Sequence, residues 1–164
     1  MAKQFHVAGP CEILIGEMDG ATTNSLGYSR NGVDLRFEGF FEDVPCDTDG
    51  GDRGPPADVN YMGESATVRL ELTKWDAALA EMIVPRVNGA VAGVPAGPGV
   101  LFKQDGVAFR LIVLPQTPGF DFKCAILRGA TEINKGSRYS TLVLEFQCLR
   151  HPTSGVLHAV ATRG

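Results

Sequence analysis

The sequence predicts a mainly β protein, an antiparallel β-sandwich or barrel of about seven or eight strands with one flanking α-helix and a long inter-strand loop. Three observations carry this expectation. Apolar and polar residues alternate with period two in segment after segment, as strands with one buried face require. The chain holds 20 Gly and 10 Pro in 164 residues, above the roughly 12% that these two residues average together, so turns are frequent. A single segment has the apolar spacing of an amphipathic helix. The length allows one domain, 1–164, and 44% hydrophobic residues supply a core.

In chain order, the stretch through Ala8 reads as an N-terminal arm. A first strand runs from Cys11 to Ile15, and Asp19 to Gly27, rich in Gly, Asn, Thr and Ser, reads as turn and loop. The cleanest strand follows, with Val33, Leu35 and Phe37 alternating against Asp34, Arg36 and Glu38. The slip at Gly39-Phe40-Phe41 predicts a bulge or bend. The partner by pattern is Glu64 to Leu72, with Ala66, Val68, Leu70 and Leu72 on one face and Thr67, Arg69 and Glu71 on the other. Between these strands lies the long loop 45–58, with four Asp, three Gly and three Pro. Nothing in it can pack a core, and loops of that length inside compact domains are usually functional or disordered.

The predicted helix is 73–84. Thr73 and Asp76 approximate a capping box, and Trp75, Leu79, Met82 and Ile83 form one apolar stripe that would lie on a sheet, until Pro85 stops the helix. The uncharged segment 88–99 reads as a flexible connection. Strands are then expected at Val100 to Phe102, Val107 to Leu114, Phe120 to Ile126, Tyr139 to Leu149 and Val156 to Ala161, the first two joined by an Asp105-Gly106 turn. Phe120, Phe122, Cys124 and Ile126 should share one face, as should Leu142, Leu144, Phe146 and Cys148.

Catalytic chemistry is poorly represented. His6, His151 and His158 suit surface or capping roles, and no nucleophile-elbow, zinc-protease or P-loop pattern is present. Asp47, Asp49 and Asp52, with Asp58 eleven residues after Asp47, invite comparison with a calcium loop. Position six is Asp rather than Gly, however, and position twelve is not the bidentate Glu, which favours a solvated acidic loop. Cys11, Cys46, Cys124 and Cys148 have no metal-ligand spacing and read as thiols, mostly buried. Arg36, Arg69 and Arg110 lie among acids on strand faces and suit cross-strand pairing or subunit contact. No cofactor is implied. A net charge of −4 argues against tight nucleic-acid binding. No apolar run is long enough for a membrane-spanning helix, and the opening residues lack the apolar stretch of an export signal, so a soluble product made in the cytosol is expected.

One region has a familiar layout. Gly32-Val33-Asp34-Leu35-Arg36-Phe37 leads through the acidic loop to Pro56-Ala57-Asp58-Val59-Asn60-Tyr61-Met62-Gly63-Glu64, a P-x-D-x-x-x-x-G turn before a strand. Gly9-Pro10-Cys11-Glu12-Ile13-Leu14-Ile15-Gly16 opens the chain. This arrangement resembles the tail tube proteins of tailed bacteriophages, chiefly over residues 9–85. The resemblance implies a β-barrel subunit of a virion tail, made in the host cytoplasm. Copies would assemble into rings, expected to be hexameric, stacked into a tube that passes DNA without binding it specifically and that meets other tail or neck proteins. It implies a mildly acidic lumen face from Asp34, Arg36, Glu38, Thr67, Arg69 and Glu71. The long loop, through Asp47, Asp49, Asp52, Arg53, Pro55 and Pro56, would touch neighbouring copies. The arm through Ala8 and the segment 88–99 are further contact candidates. A capsid decoration or head-tail connector protein is the alternative within assembly, and a small-ligand or calcium-binding β-barrel the alternative of another class.

Overall fold

A computed structural model of the chain describes residues 2–45, 56–76, 78, 90–91, 94–95, 108–116, 118–128, 132–135 and 140–162. Its strands are β1 (Lys3–Val7), β2 (Cys11–Glu17), β3 (Thr23–Ser29), β4 (Val33–Val44), β5 (Asp58–Leu72), β6 (Lys74–Trp75), β7 (Ala90–Val91), β8 (Val94–Pro95), β9 (Phe109–Leu114), β10 (Gly119–Leu127), β11 (Glu132–Lys135), β12 (Ser140–Cys148) and β13 (His158–Ala161). The protein is mainly β, as the alternation requires. One antiparallel sheet dominates, in the order β1-β4-β5-β12-β10-β9-β2-β3-β6, with β11 added to β12 and β13 to β10.

That sheet does not close through its ladder. It nevertheless curls back on itself, because β6, the last strand of the order, pairs with β3 yet is separated from β5, the third, only by Thr73. The sheet therefore curls around one interior. Ile13, Leu26, Leu35, Val68, Leu70, Leu111, Phe122, Leu144 and Phe146 are fully buried there, drawn from seven strands. Each such side chain contributes about 1.5–3 kcal/mol by leaving water.

Several elements depart from the sequence reading. The N-terminal arm is an edge strand, with Lys3 through Val7 laddered onto Phe37 through Val33. The expected loop at Asp19 to Gly27 is largely β3. Leu26 is its one large buried side chain, and its other residues are too polar to mark a core strand. The predicted helix does not start at Thr73. The Thr73 hydroxyl donates to the Tyr28 carbonyl at 3.3 Å rather than capping, Lys74 and Trp75 form β6, and Trp75 packs on the main core. Leu79, Met82 and Ile83 lie outside the described residues. Within 88–99, Ala90–Val91 pairs with Val94–Pro95 as a small separate hairpin; the expected strand at 100–102 and its turn lie outside the described residues.

The face assignment along β10 also changes. A register shift between Phe122 and Ala125 turns Ala125 and Leu127 into the main core beside Phe122, while Cys124 joins Met18 and Ala108 in a second cluster, packed by Ile126. Along β12, Leu142, Leu144, Phe146 and Cys148 share the core face as expected.

Candidate assembly surfaces

The β4–β5 hairpin is longer than the body that holds it. β1 flanks β4 only as far as Phe37, and β12 flanks β5 only back to Ala66. Beyond those residues the two strands pair with each other, from Glu38 opposite Ser65 out to Val44 opposite Asp58. At about 3.3 Å per residue the projection extends roughly 20 Å. The slip seen at Gly39-Phe40-Phe41 is a true irregularity: Phe40 faces Gly63, Phe41 faces Tyr61, and Met62 is the extra residue. Gly63 has φ +132°, a backbone angle that favours glycine.

This projection is apolar and acidic together. Phe40, Phe41, Val59, Tyr61 and Met62 are 47–63% exposed. Their exposed surface totals on the order of 500 Å², divided between the two faces of the ribbon, since Phe40 and Phe41 are successive residues of one strand. Glu38, Glu42, Asp43, Asp58 and Glu64 are the charged residues of 38–44 and 58–64, without Lys or Arg. Phe41 and Tyr61 touch, ring centroids 5.6 Å apart. At the root, Arg150 braces the hairpin: its Nη2 donates to Tyr61 Oη at 3.2 Å and to Glu64 Oε1 at 3.4 Å, with Cζ 5.4 Å from the Tyr61 ring centroid.

Below the projection, the polar side chains predicted from alternation do share one face. The ladder sets His6, Asp34, Arg69 and Glu145 in one row across β1, β4, β5 and β12, and Gln4, Arg36, Thr67 and Gln147 in the next. Asp34, Arg36, Glu38, Arg69 and Glu71 are exposed and Thr67 is half-buried. His6 Nδ1 donates to Asp34 Oδ1 at 2.7 Å, which raises the imidazole pKa above 6.5. Arg128 Nη1 donates to Gln147 Oε1 on the same face. Signs alternate along the His6 row, so no strong field of either sign develops there.

Two further groupings escaped the sequence reading. Phe5, His6, Val7, Phe37, Phe120 and His158 line an open concavity of about 400 Å³ beside the hairpin's root. The Phe37 and Phe120 ring centroids lie 5.2 and 5.6 Å from that of His158, with buried Phe122 beneath. On the opposite face of β10, Asp121 is 6% exposed and accepts from Arg110 Nε at 3.1 Å, Arg110 Nη2 at 2.8 Å and Lys123 Nζ at 2.7 Å. Burial opposes ionisation of Asp121, but these hydrogen bonds outweigh it and hold its carboxyl below 3.8. The Arg110 pairing is the cross-strand role its position suggested.

The histidines act as expected of surface and capping groups. His151 Nδ1 accepts from the Thr153 and Ser154 amides, both at 3.2 Å, so Nε2 carries the proton donated to Asp19 Oδ1 at 2.7 Å. Cys11, Cys124 and Cys148 are buried thiols, and burial pushes Cys148 well above its ordinary value. Cys46 and the loop residues Asp47, Asp49, Asp52, Arg53 and Pro55 lie outside the described residues; Pro56 is exposed beside the hairpin's end. Among the described residues no group of three His, Cys, Asp or Glu is placed to hold a metal ion, and no helix is long and apolar enough to cross a membrane. No family model and no curated protein matches the sequence.

Proposed function

We propose that this chain is a structural, self-assembling protein, a virion tail tube subunit whose copies form stacked rings around a channel for DNA. The observation that carries self-assembly is the projecting β4–β5 hairpin. A two-stranded ribbon is marginally stable alone in water, and this one exposes three aromatic rings and a methionine. A partner surface would relieve both costs. The tube reading rests further on the resemblance of residues 9–85 and on the mixed-charge face, which suits a wall past which a polyanion slides without being gripped. In this reading Asp34, Arg36, Glu38, Thr67, Arg69 and Glu71 line the channel, Glu145 and Gln147 extend that lining, and the hairpin, with the loop 45–58 expected from the sequence, reaches a neighbouring copy. The role needs no active site and no cofactor.

Sedimentation velocity across a concentration series tests the hairpin's part. The wild-type chain is expected to form large assemblies as concentration rises. The double variant Phe41→Ser, Tyr61→Ser should keep its far-ultraviolet circular dichroism and stay monomeric. A variant that assembles like wild type would remove the hairpin from the interface. Single closed rings instead of tubes would favour a connector or decoration role.

A further inference from the structure

We infer that the aromatic concavity formed by β1, β4, β10 and β13 is the seat for the projecting hairpin of a second copy, a head-to-tail knob and hole. The inference rests on the self-assembly reading above and names its contact. The knob is Phe41, Tyr61 and Met62 at the hairpin's bulge; the hole is floored by Phe37 and Phe120 and walled by Phe5 and Val7. An opening of about 400 Å³ is within the range of sites that enclose small organic groups, and it admits a pair of such side chains.

The two surfaces also match in charge. Glu42, Asp43 and Asp58 stand around the knob with no Lys or Arg among 38–44 and 58–64, while Glu64 at its root is paired with Arg150, whose Cζ lies 5.4 Å from the Tyr61 ring centroid. The hole has no acid in its lining and has Lys3 opposite Phe37 at its margin. Rim charges of opposite sign steer association and fix register.

Geometry excludes a hairpin filling its own hole. Phe41 lies four residues beyond Phe37 on one continuous strand, about 13 Å farther out, and the ribbon points away from the root. A hairpin seated in this hole therefore belongs to another copy. Because knob and hole are different patches of the same chain, the contact is heterologous, and it repeats around a ring or along a filament instead of stopping at a dimer.

Complementation tests this directly. The knob variant is Phe41→Ser with Tyr61→Ser. The hole variant is Phe5→Glu, at a half-exposed position on an edge strand. A milder hole variant, Lys3→Glu, leaves every ring in place. With folding confirmed by circular dichroism and thermal midpoint, the knob variant and Phe5→Glu should each sediment as monomers. Lys3→Glu should need about tenfold more protein to assemble. Mixed in equal amounts, the knob variant and Phe5→Glu should form a one-to-one dimer and nothing larger, since only one intact knob and one intact hole remain.

If Phe5→Glu and Lys3→Glu assemble like wild type while the knob variant does not, the hairpin seats elsewhere, and the inference falls with self-assembly intact. Failure of the mixed variants to pair also overturns it. If wild type itself stays monomeric at every concentration, both readings fall.

Discussion

Asp121 carries an unusual load for one carboxylate, since Arg110 and Lys123 both donate to it and it is almost buried. Asp121→Asn removes the shared charge and leaves two cations side by side, which should cost about 3 kcal/mol in urea unfolding. The pH dependence follows from its depressed pKa. Such a group contributes fully above its unfolded value of 3.8 and loses the contribution as pH falls through the folded value. Wild type should therefore lose stability below pH 3.8 more steeply than Asp121→Asn does. His6 works in the opposite sense. Its folded pKa is raised by Asp34, so its contribution is complete below pH 6.5 and lost as pH rises through the folded value. Hydrogen exchange should report a loosening of β1 across that rise, beyond the intrinsic base catalysis, and His6→Gln should abolish the step.

At the scale of elements, β3 and β6 meet at one close approach. A Cβ at Gly27 would stand 2.1 Å from the Lys74 carbonyl oxygen, so Gly27→Val must part the two strands. A loss of at least about 2 kcal/mol in thermal or urea unfolding is expected, with the change confined in exchange experiments to β3 and β6. The same pair shows where sequence reading fails. β4, β5 and β12 were legible because each buries one face and wets the other, so alternation marks them. β3 was not, because a strand with one large buried side chain leaves no period to read. β1 is an edge strand whose ladder partner, not its own pattern, decides its structure. The Trp75 stripe has helical spacing, yet pairing of Lys74 with Tyr28 overrides local propensity at its start. Among the site residues, the polar face could be read position by position. The hairpin's aromatics could not, since Phe40, Phe41 and Tyr61 look like core until the ends of β1 and β12 show that, among the described residues, no further strand flanks them.

For the whole molecule, these surfaces divide the work. The curled sheet supplies one interior and a rigid frame. The mixed-charge rows on β1, β4, β5 and β12 give a polar wall, and the apolar, acidic hairpin runs past the ends of β1 and β12. A protein that kept this projection to itself would expose a sticky edge, which natural β proteins usually cover. In the proposed assembly, like copies would cover it and, joined head-to-tail, would generate a closed ring or a continuing tube. Negative-stain electron microscopy of the concentrated wild-type chain tests this account most directly. Hollow tubes of uniform width, lost in Phe41→Ser with Tyr61→Ser, are the predicted result; a field of separate monomers at every concentration would contradict it.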